Sequence, residues 1–132
     1  MKIGTLTQSP LRTADPDETI GDAADRMTFF EIGSLAVFEE GKLVGIITER
    51  DIVRAIAGGA SANVDTVGQF MTRGPVEVTP DDTVDQAIAY MVFLGARHLP
   101  VVEKGEVVGM VSARDLLAAT LGSDDLIVEP AL

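Results

Sequence analysis

Apolar residues follow two kinds of period along the chain, and both periods recur. In PDETIGDAADRMTFF, residues 16–30, Ile20, Ala23, Ala24 and Met27 return at three- and four-residue steps. That spacing predicts a helix, with Thr19 as its N-cap behind acidic residues that suit a helix start. PDDTVDQAIAYMVFL, residues 80–94, repeats the pattern with Thr83 as cap and Val84, Ala87, Ile88 and Met91 on the apolar face. Two denser apolar runs, SLAVFEEGKLVGIIT at 34–48 and HLPVVEKGEVVGMVS at 98–112, are broken by Glu-Gly-Lys and Lys-Gly-Glu. Each predicts a hairpin with glycine at the turn. Each hairpin runs into a second helical pattern, carrying Ile52, Val53 and Ile56 in one case and Leu116 and Leu117 in the other. PVEV at 75–78 predicts a short strand, with PLRT at 10–13 as its weaker counterpart. GGASANVDTVG at 58–68 reads as a linker, and GSDDLIVEPAL at 122–132 as a tail without a counterpart.

These parallels are one internal repeat. A shift of 64 residues places Pro16, Asp17 and Thr19 on Pro80, Asp81 and Thr83, and Ala23, Met27 and Phe29 on Ala87, Met91 and Phe93. The same shift places Leu35, Val37, Glu39 and Gly41 on Leu99, Val101, Glu103 and Gly105. It also places Val44, Gly45, Arg50, Asp51 and Ala55 on Val108, Gly109, Arg114, Asp115 and Ala119. The register needs no gap, so the chain is a duplication. The expected organisation is a first repeat over 3–58, a linker over 59–70, a second repeat over 71–121 and a tail over 122–132. A repeat of this size buries too little surface to be comfortably stable alone. Two are therefore expected to pack face to face about a pseudo-two-fold, with matching strand ends facing a shared cleft.

Composition narrows the chemistry. The chain has 132 residues, 46% of them apolar, and no cysteine, which excludes disulfides, thiolate metal sites and a cysteine nucleophile. No apolar stretch reaches the length of a membrane span, and the start MKIGTLTQSP lacks the apolar core of a secretion signal. A cytoplasmic location is expected. The formal net charge of −11 disfavours nucleic acid and anionic membrane as partners, since both attract clustered Lys and Arg. An anionic small ligand would have to find its basic contacts locally among the ten Lys and Arg residues.

At the segments GIITERD, 45–51, and GMVSARD, 109–115, the sequence resembles a tandem pair of cystathionine beta-synthase (CBS) domains, a Bateman module. MTRGPVEVTPDDTV at 71–84 and ARHLPVVEKGEVVG at 96–109 extend the resemblance, which covers residues 3–121. It implies an α/β (α+β) fold of two pseudo-symmetric β-α-β-β-α repeats. It also implies a non-catalytic regulatory or sensor module that binds an adenosine-containing ligand between the repeats: AMP, ADP or ATP, with S-adenosylmethionine as a further candidate. No cofactor is required, and the regulated protein is not legible.

Thr48-x-x-Asp51 and Ser112-x-x-Asp115 each satisfy a capping-box pattern at a helix start. The same groups suit a ribose: a carboxylate can accept both hydroxyls of a diol beside backbone N–H groups at a helix N-terminus. Both uses stay open from the residues alone. Carrying the family pattern over gives two ligand sites, each drawing on both repeats. Site A combines Thr48 and Asp51 with Pro75, Val76, Ala96, Arg97 and His98. Site B, expected to be weaker, combines Ser112 and Asp115 with Arg12, Thr13, Ile32, Gly33 and Ser34. Site A ranks first because Arg97 and His98 stand where related modules place phosphate-contacting residues, whereas site B has Gly33 and Ser34 there, and Ala36 where the second repeat has Pro100. Arg12 is the basic residue available to site B.

His98 is the one histidine, so zinc is not expected, and no nucleophile–base pair or Gly-rich phosphate loop points to an enzyme. His98 reads equally as a strand-end residue near the surface, and Arg50 and Arg114 read equally as solvated charges or cleft-mouth contacts. Phe29 and Phe30, and Met91, Val92, Phe93 and Leu94, are too many adjacent apolar residues for one buried helix face. They point to a homodimer. The competing functional class is a structural or protein-interaction dimer with no nucleotide.

Overall fold

The structure is a computed structural model and describes residues 1–6 and 11–121. The expected tail at 122–132 and Pro10 of PLRT lie outside the described residues. The chain divides into two compact units. One spans Leu11–Pro75; the other is built from Val76 onward and takes in the first residues of the chain. Each carries one copy of the repeated mixed α/β pattern.

In the unit Leu11–Pro75, β1 (Thr13–Ala14) lies parallel to β2 (Ser34–Glu39), with α1 (Ile20–Phe30) as the crossover between them. β2 turns into the antiparallel β3 (Lys42–Thr48), which runs straight into α2 (Glu49–Ala57). α3 (Val67–Phe70) and β4 (Thr72–Arg73) follow, and β4 closes a four-stranded sheet of order β1-β2-β3-β4. α1 starts where Thr19 Oγ1 accepts the Asp22 N–H at 3.2 Å. It stops at Glu31, whose φ of 55° is left-handed. Met27 and Ala23 on α1 meet Leu35 and Val37 on β2 and Ile47 on β3 in a closed apolar core.

The segment 59–70, read from sequence as linker, contributes to that core through the fully buried Val67. Its helix start is held by Gln69, whose Oε1 accepts the Thr66 N–H at 2.7 Å. β4 had no forecast. Its position depends on Gly45 of β3: a Cβ there would stand 2.7 Å from the Thr72 carbonyl oxygen and 2.8 Å from Met71 Sδ.

In the second unit, α4 (Val84–Leu94), the hairpin β5 (His98–Glu103) and β6 (Glu106–Ser112), and α5 (Ala113–Leu121) repeat the pattern. The Thr83 cap is a full box: Thr83 Oγ1 accepts the Gln86 N–H, and Gln86 Oε1 accepts the Thr83 N–H at 2.8 Å. The strand expected at 75–78 shrinks to one parallel bridge, Val78 to Val101, carried by Val78 N–H to the Pro100 carbonyl and Val102 N–H to the Val78 carbonyl. The chain's first residues pack in this unit. Ile3 is fully buried with Val84, Leu99 and Val111, and the Ile3 and Gly4 N–H groups donate to the carbonyls of Asp82 and Pro80. Compact units in space therefore differ from the expected repeats at both boundaries: the first residues of the chain go with the second unit, and 59–75 with the first.

Candidate functional site

Both expected hydroxyl–carboxylate pairs form closed capping boxes. Thr48 Oγ1 accepts the Asp51 N–H at 3.1 Å, and Asp51 Oδ2 accepts the Thr48 N–H at 2.9 Å. In the second unit Ser112 Oγ accepts the Asp115 N–H at 3.1 Å, and Asp115 Oδ2 accepts the Ser112 N–H at 3.0 Å. All four residues are half-buried. Capping engages one oxygen of each carboxylate. The other, Oδ1, has no hydrogen-bond partner among the described residues and remains able to accept. The structural use of these groups thus leaves half of each carboxylate for a ligand.

The strand register then decides what stands beside each pair. Ser34 faces Thr48 across β2 and β3, and the Gly33 carbonyl accepts the Glu49 N–H at 3.0 Å. His98 faces Ser112 across β5 and β6, and the Arg97 carbonyl accepts the Ala113 N–H at 2.8 Å. Each helix start is thus tied to the residues that enter its own hairpin. The residues named for site A are divided between the units: Thr48, Asp51 and Pro75 belong to one, and Val76, Ala96, Arg97 and His98 to the other. Those of site B divide likewise, with Arg12, Thr13, Ile32, Gly33 and Ser34 in one unit and Ser112 and Asp115 in the other. Arg97 is exposed, His98 and Ala96 are half-buried, and Ser34 is buried.

Two features near these residues had no forecast. The Arg12 guanidinium lies 3.7 Å over the ring of Phe30, against which Phe29 sets its edge. Arg26 donates to the Thr13 carbonyl at 2.6 Å and pairs with Glu18, tying β1 to α1. The clue in the sequence is divergence at the repeat offset: Val76, Tyr90 and Leu94 stand where the first repeat has Arg12, Arg26 and Phe30. The second feature is an open cavity of about 390 Å³ beside Asp51, lined also by Arg54, Gly58, Asp65 and Phe70. Asp65 and Phe70 come from the segment read as linker, which hid it. Among the described residues no group of three His, Asp or Glu is placed to hold a metal ion, and no helix is long and apolar enough to cross a membrane.

The family model for the CBS domain matches residues 3–58 and again 67–122. The chain belongs to the CBS domain family. This CBS pair is similar to an uncharacterized 17.7 kDa protein of Acidianus ambivalens, at 37% identity over 91% of this chain and 73% of that protein. It is 31% identical to the CBS domain-containing protein YhcV of Bacillus subtilis over 91% of this chain and 85% of the relative. It spans only 54% of another relative, the mitochondrial CBS domain-containing protein CBSX3 of Arabidopsis thaliana, at 38% identity over 80% of this chain.

Among solved structures it resembles the CBS domain pair of protein MJ0100 in complex with 5′-methylthioadenosine and S-adenosyl-L-methionine. The TM-score there is 0.83 and the identity 31%, over 93% of this chain and 98% of that one. It also resembles the CBS domain protein PAE2072 of Pyrobaculum aerophilum complexed with AMP, with a TM-score of 0.78 and 28% identity over 87% and 89% of the two chains.

Proposed function

We propose that this CBS pair is a non-catalytic regulatory module that binds an adenosine-containing ligand. The observation that carries the reading is the twofold Asp with one carboxylate oxygen in its capping box and the other without a partner among the described residues, beside the first N–H groups of a helix. A ribose diol needs acceptors for its hydroxyls, and a carboxylate oxygen beside helix N–H groups supplies that chemistry. Two solved relatives, one holding AMP and the other 5′-methylthioadenosine and S-adenosylmethionine, support the same ligand class.

In this reading Thr48 and Asp51 act with Pro75, Val76, Ala96, Arg97 and His98, and Ser112 and Asp115 act with Arg12, Thr13, Ile32, Gly33 and Ser34. The nucleotides AMP, ADP and ATP are preferred, because Arg97 and His98 on one side and Arg12 on the other offer cations to a phosphate. The module is a homodimer whose output is a change in the protein it regulates. Such a change requires the ligand to bind one arrangement better than another.

Isothermal titration of the purified protein with AMP, ATP and S-adenosylmethionine tests the reading. Binding of an adenosine compound is expected, and its loss is expected for a 2′,3′-dideoxy analogue. No heat and no thermal stabilisation with any of the three at millimolar concentration would leave a structural dimer as the function.

A further inference from the structure

The open cavity of about 390 Å³ lies wholly within the unit Leu11–Pro75, lined by α2 and the segment that follows it. Its volume is in the range of sites that take small molecules. Two carboxylates line it, each held by a backbone donor through one oxygen. Asp51 Oδ2 is engaged in the cap of α2, and Asp65 Oδ2 accepts the Ser61 N–H at 2.6 Å. Neither Oδ1 has a partner among the described residues. The third charged group is Arg54, one helical turn beyond Asp51. That spacing allows a helix ion pair, yet among the described residues Arg54 pairs with neither carboxylate. The half-buried Phe70 supplies an apolar wall, and Gly58 and Gly59 bring no side chains to fill the space.

The other unit builds the same place without these groups. Residues 1–6 pack there as residues 65–70 pack here. The Val84 N–H donates to the Met1 carbonyl as the Ile20 N–H donates to that of Asp65, and the Ile3 N–H donates to Asp82 as the Val67 N–H donates to Glu18. Met1 and Leu6 thereby take the positions of Asp65 and Phe70, and Ala118 takes that of Arg54. The backbone bonds are common to both units, whereas the charged and aromatic lining belongs to one. The fold therefore does not require that lining. Opposite charges that share a cavity without pairing suit a molecule that carries both signs. The forked guanidinium matches a carboxylate, and the open oxygen of Asp65 matches an ammonium. Gly58 caps α2, so the negative end of that helix borders the cavity and favours the ammonium as well.

We propose that this cavity binds a free α-amino acid with an apolar side chain. Its carboxylate lies on Arg54, its ammonium on Asp65, and its side chain against Phe70. The site needs no residue of the other unit and does not rest on the adenosine reading. Asp51 borders it and has no part in the assignment.

The experiment follows the Gly58 and Gly59 amide signals by ¹H–¹⁵N NMR while the protein is titrated with L-leucine. Two analogues each lack one charge: 3-methylbutylamine has no carboxylate, and 4-methylpentanoate has no ammonium. Leucine is expected to move both signals to saturation, and each analogue to bind about tenfold or more weakly. Arg54→Ala, which copies the second unit at an exposed position, is expected to weaken leucine about tenfold or more while the amine changes by less than about twofold. Asp65→Asn, which keeps an oxygen for the Ser61 N–H, is expected to weaken leucine and the amine and to spare the acid. Signals that stay in place with leucine at tens of millimolar would overturn the proposal. So would an amine that binds as tightly as leucine, which would make the cavity a plain cation site, or an Arg54→Ala variant that weakens leucine and the amine alike. AMP titrated into a separate sample tests the adenosine reading, and the failure of either leaves the other standing.

Discussion

Asp51 and Asp115 cap their helices, and the ligand role proposed for them is a second duty that separates from the first by measurement. As the third-residue partners in their capping boxes, each is worth about 0.5–1.5 kcal/mol to folding in the absence of any ligand. In the proposed role as ribose acceptors, each would contribute a charge-assisted hydrogen bond to binding alone. Asp51→Ala is expected to weaken nucleotide binding about ten- to hundredfold, and more than Asp115→Ala, because the Asp51 set gains both Arg97 and His98. Titration well below the melting temperature keeps the stability loss out of the comparison, and a larger loss in Asp115→Ala would reverse the ranking.

A second residue carries strain without any link to the ligand. Glu31 ends α1 at φ 55°, where the other repeat ends α4 with Gly95 at φ 68°. Glu31→Gly is expected to raise stability by about 0.5–1 kcal/mol, since relief of the left-handed strain outweighs the entropy glycine adds to the unfolded chain. Urea unfolding checks it, and a midpoint that falls would show that Glu31 makes a compensating contact.

At the scale of elements, the repeat is faithful where apolar spacing sets the structure and unfaithful where a pair of elements must touch closely. α1 and α4, and the two hairpins, agree in length and register, down to an irregularity after Val37 and after Val101. β4 exists in the first unit because Gly45 lets Thr72 and Met71 approach β3. Gly45→Ala puts a methyl group into that contact, so the strand must move off or the sheet must bend. The expected cost is about 1–3 kcal/mol, with amide exchange accelerating at Thr72 and Arg73. A variant with wild-type stability would mean that β4 docks without that close approach.

At the scale of the whole molecule, the open question is what covers the apolar residues left outside. Met91 faces its own unit's core and Phe30 lies under Arg12, so these two leave the set first considered for an interface. Phe29, Val92 and Phe93 remain 80%, 78% and 87% exposed, and Val53 and Leu117 are exposed on α2 and α5. So much exposed aromatic surface is costly in water and supports self-association. The chain's −11 charge opposes it, so the dimer is expected to tighten modestly with salt. Light scattering should give a dimer mass at tens of micromolar protein, and Phe29→Glu with Phe93→Glu should give a monomer. A monomer mass for the unaltered chain at low and moderate salt would remove the homodimer from the proposal.

The sequence by itself determined the duplication, the helices α1 and α4, both hairpins and the hydroxyl–carboxylate caps at the starts of α2 and α5. All of these rest on local spacing: three- and four-residue apolar steps, a glycine turn between apolar runs, and a cap three residues ahead of its partner. Tertiary structure alone decided that Ile3 is buried with Val84 and Val111, that Val67 leaves the linker for the core, and that the strand at 75–78 keeps only one bridge. It also decided that Arg12 lies on Phe30. Each of these joins residues far apart in the chain by packing, and no local period or cap records which distant surface a side chain will meet.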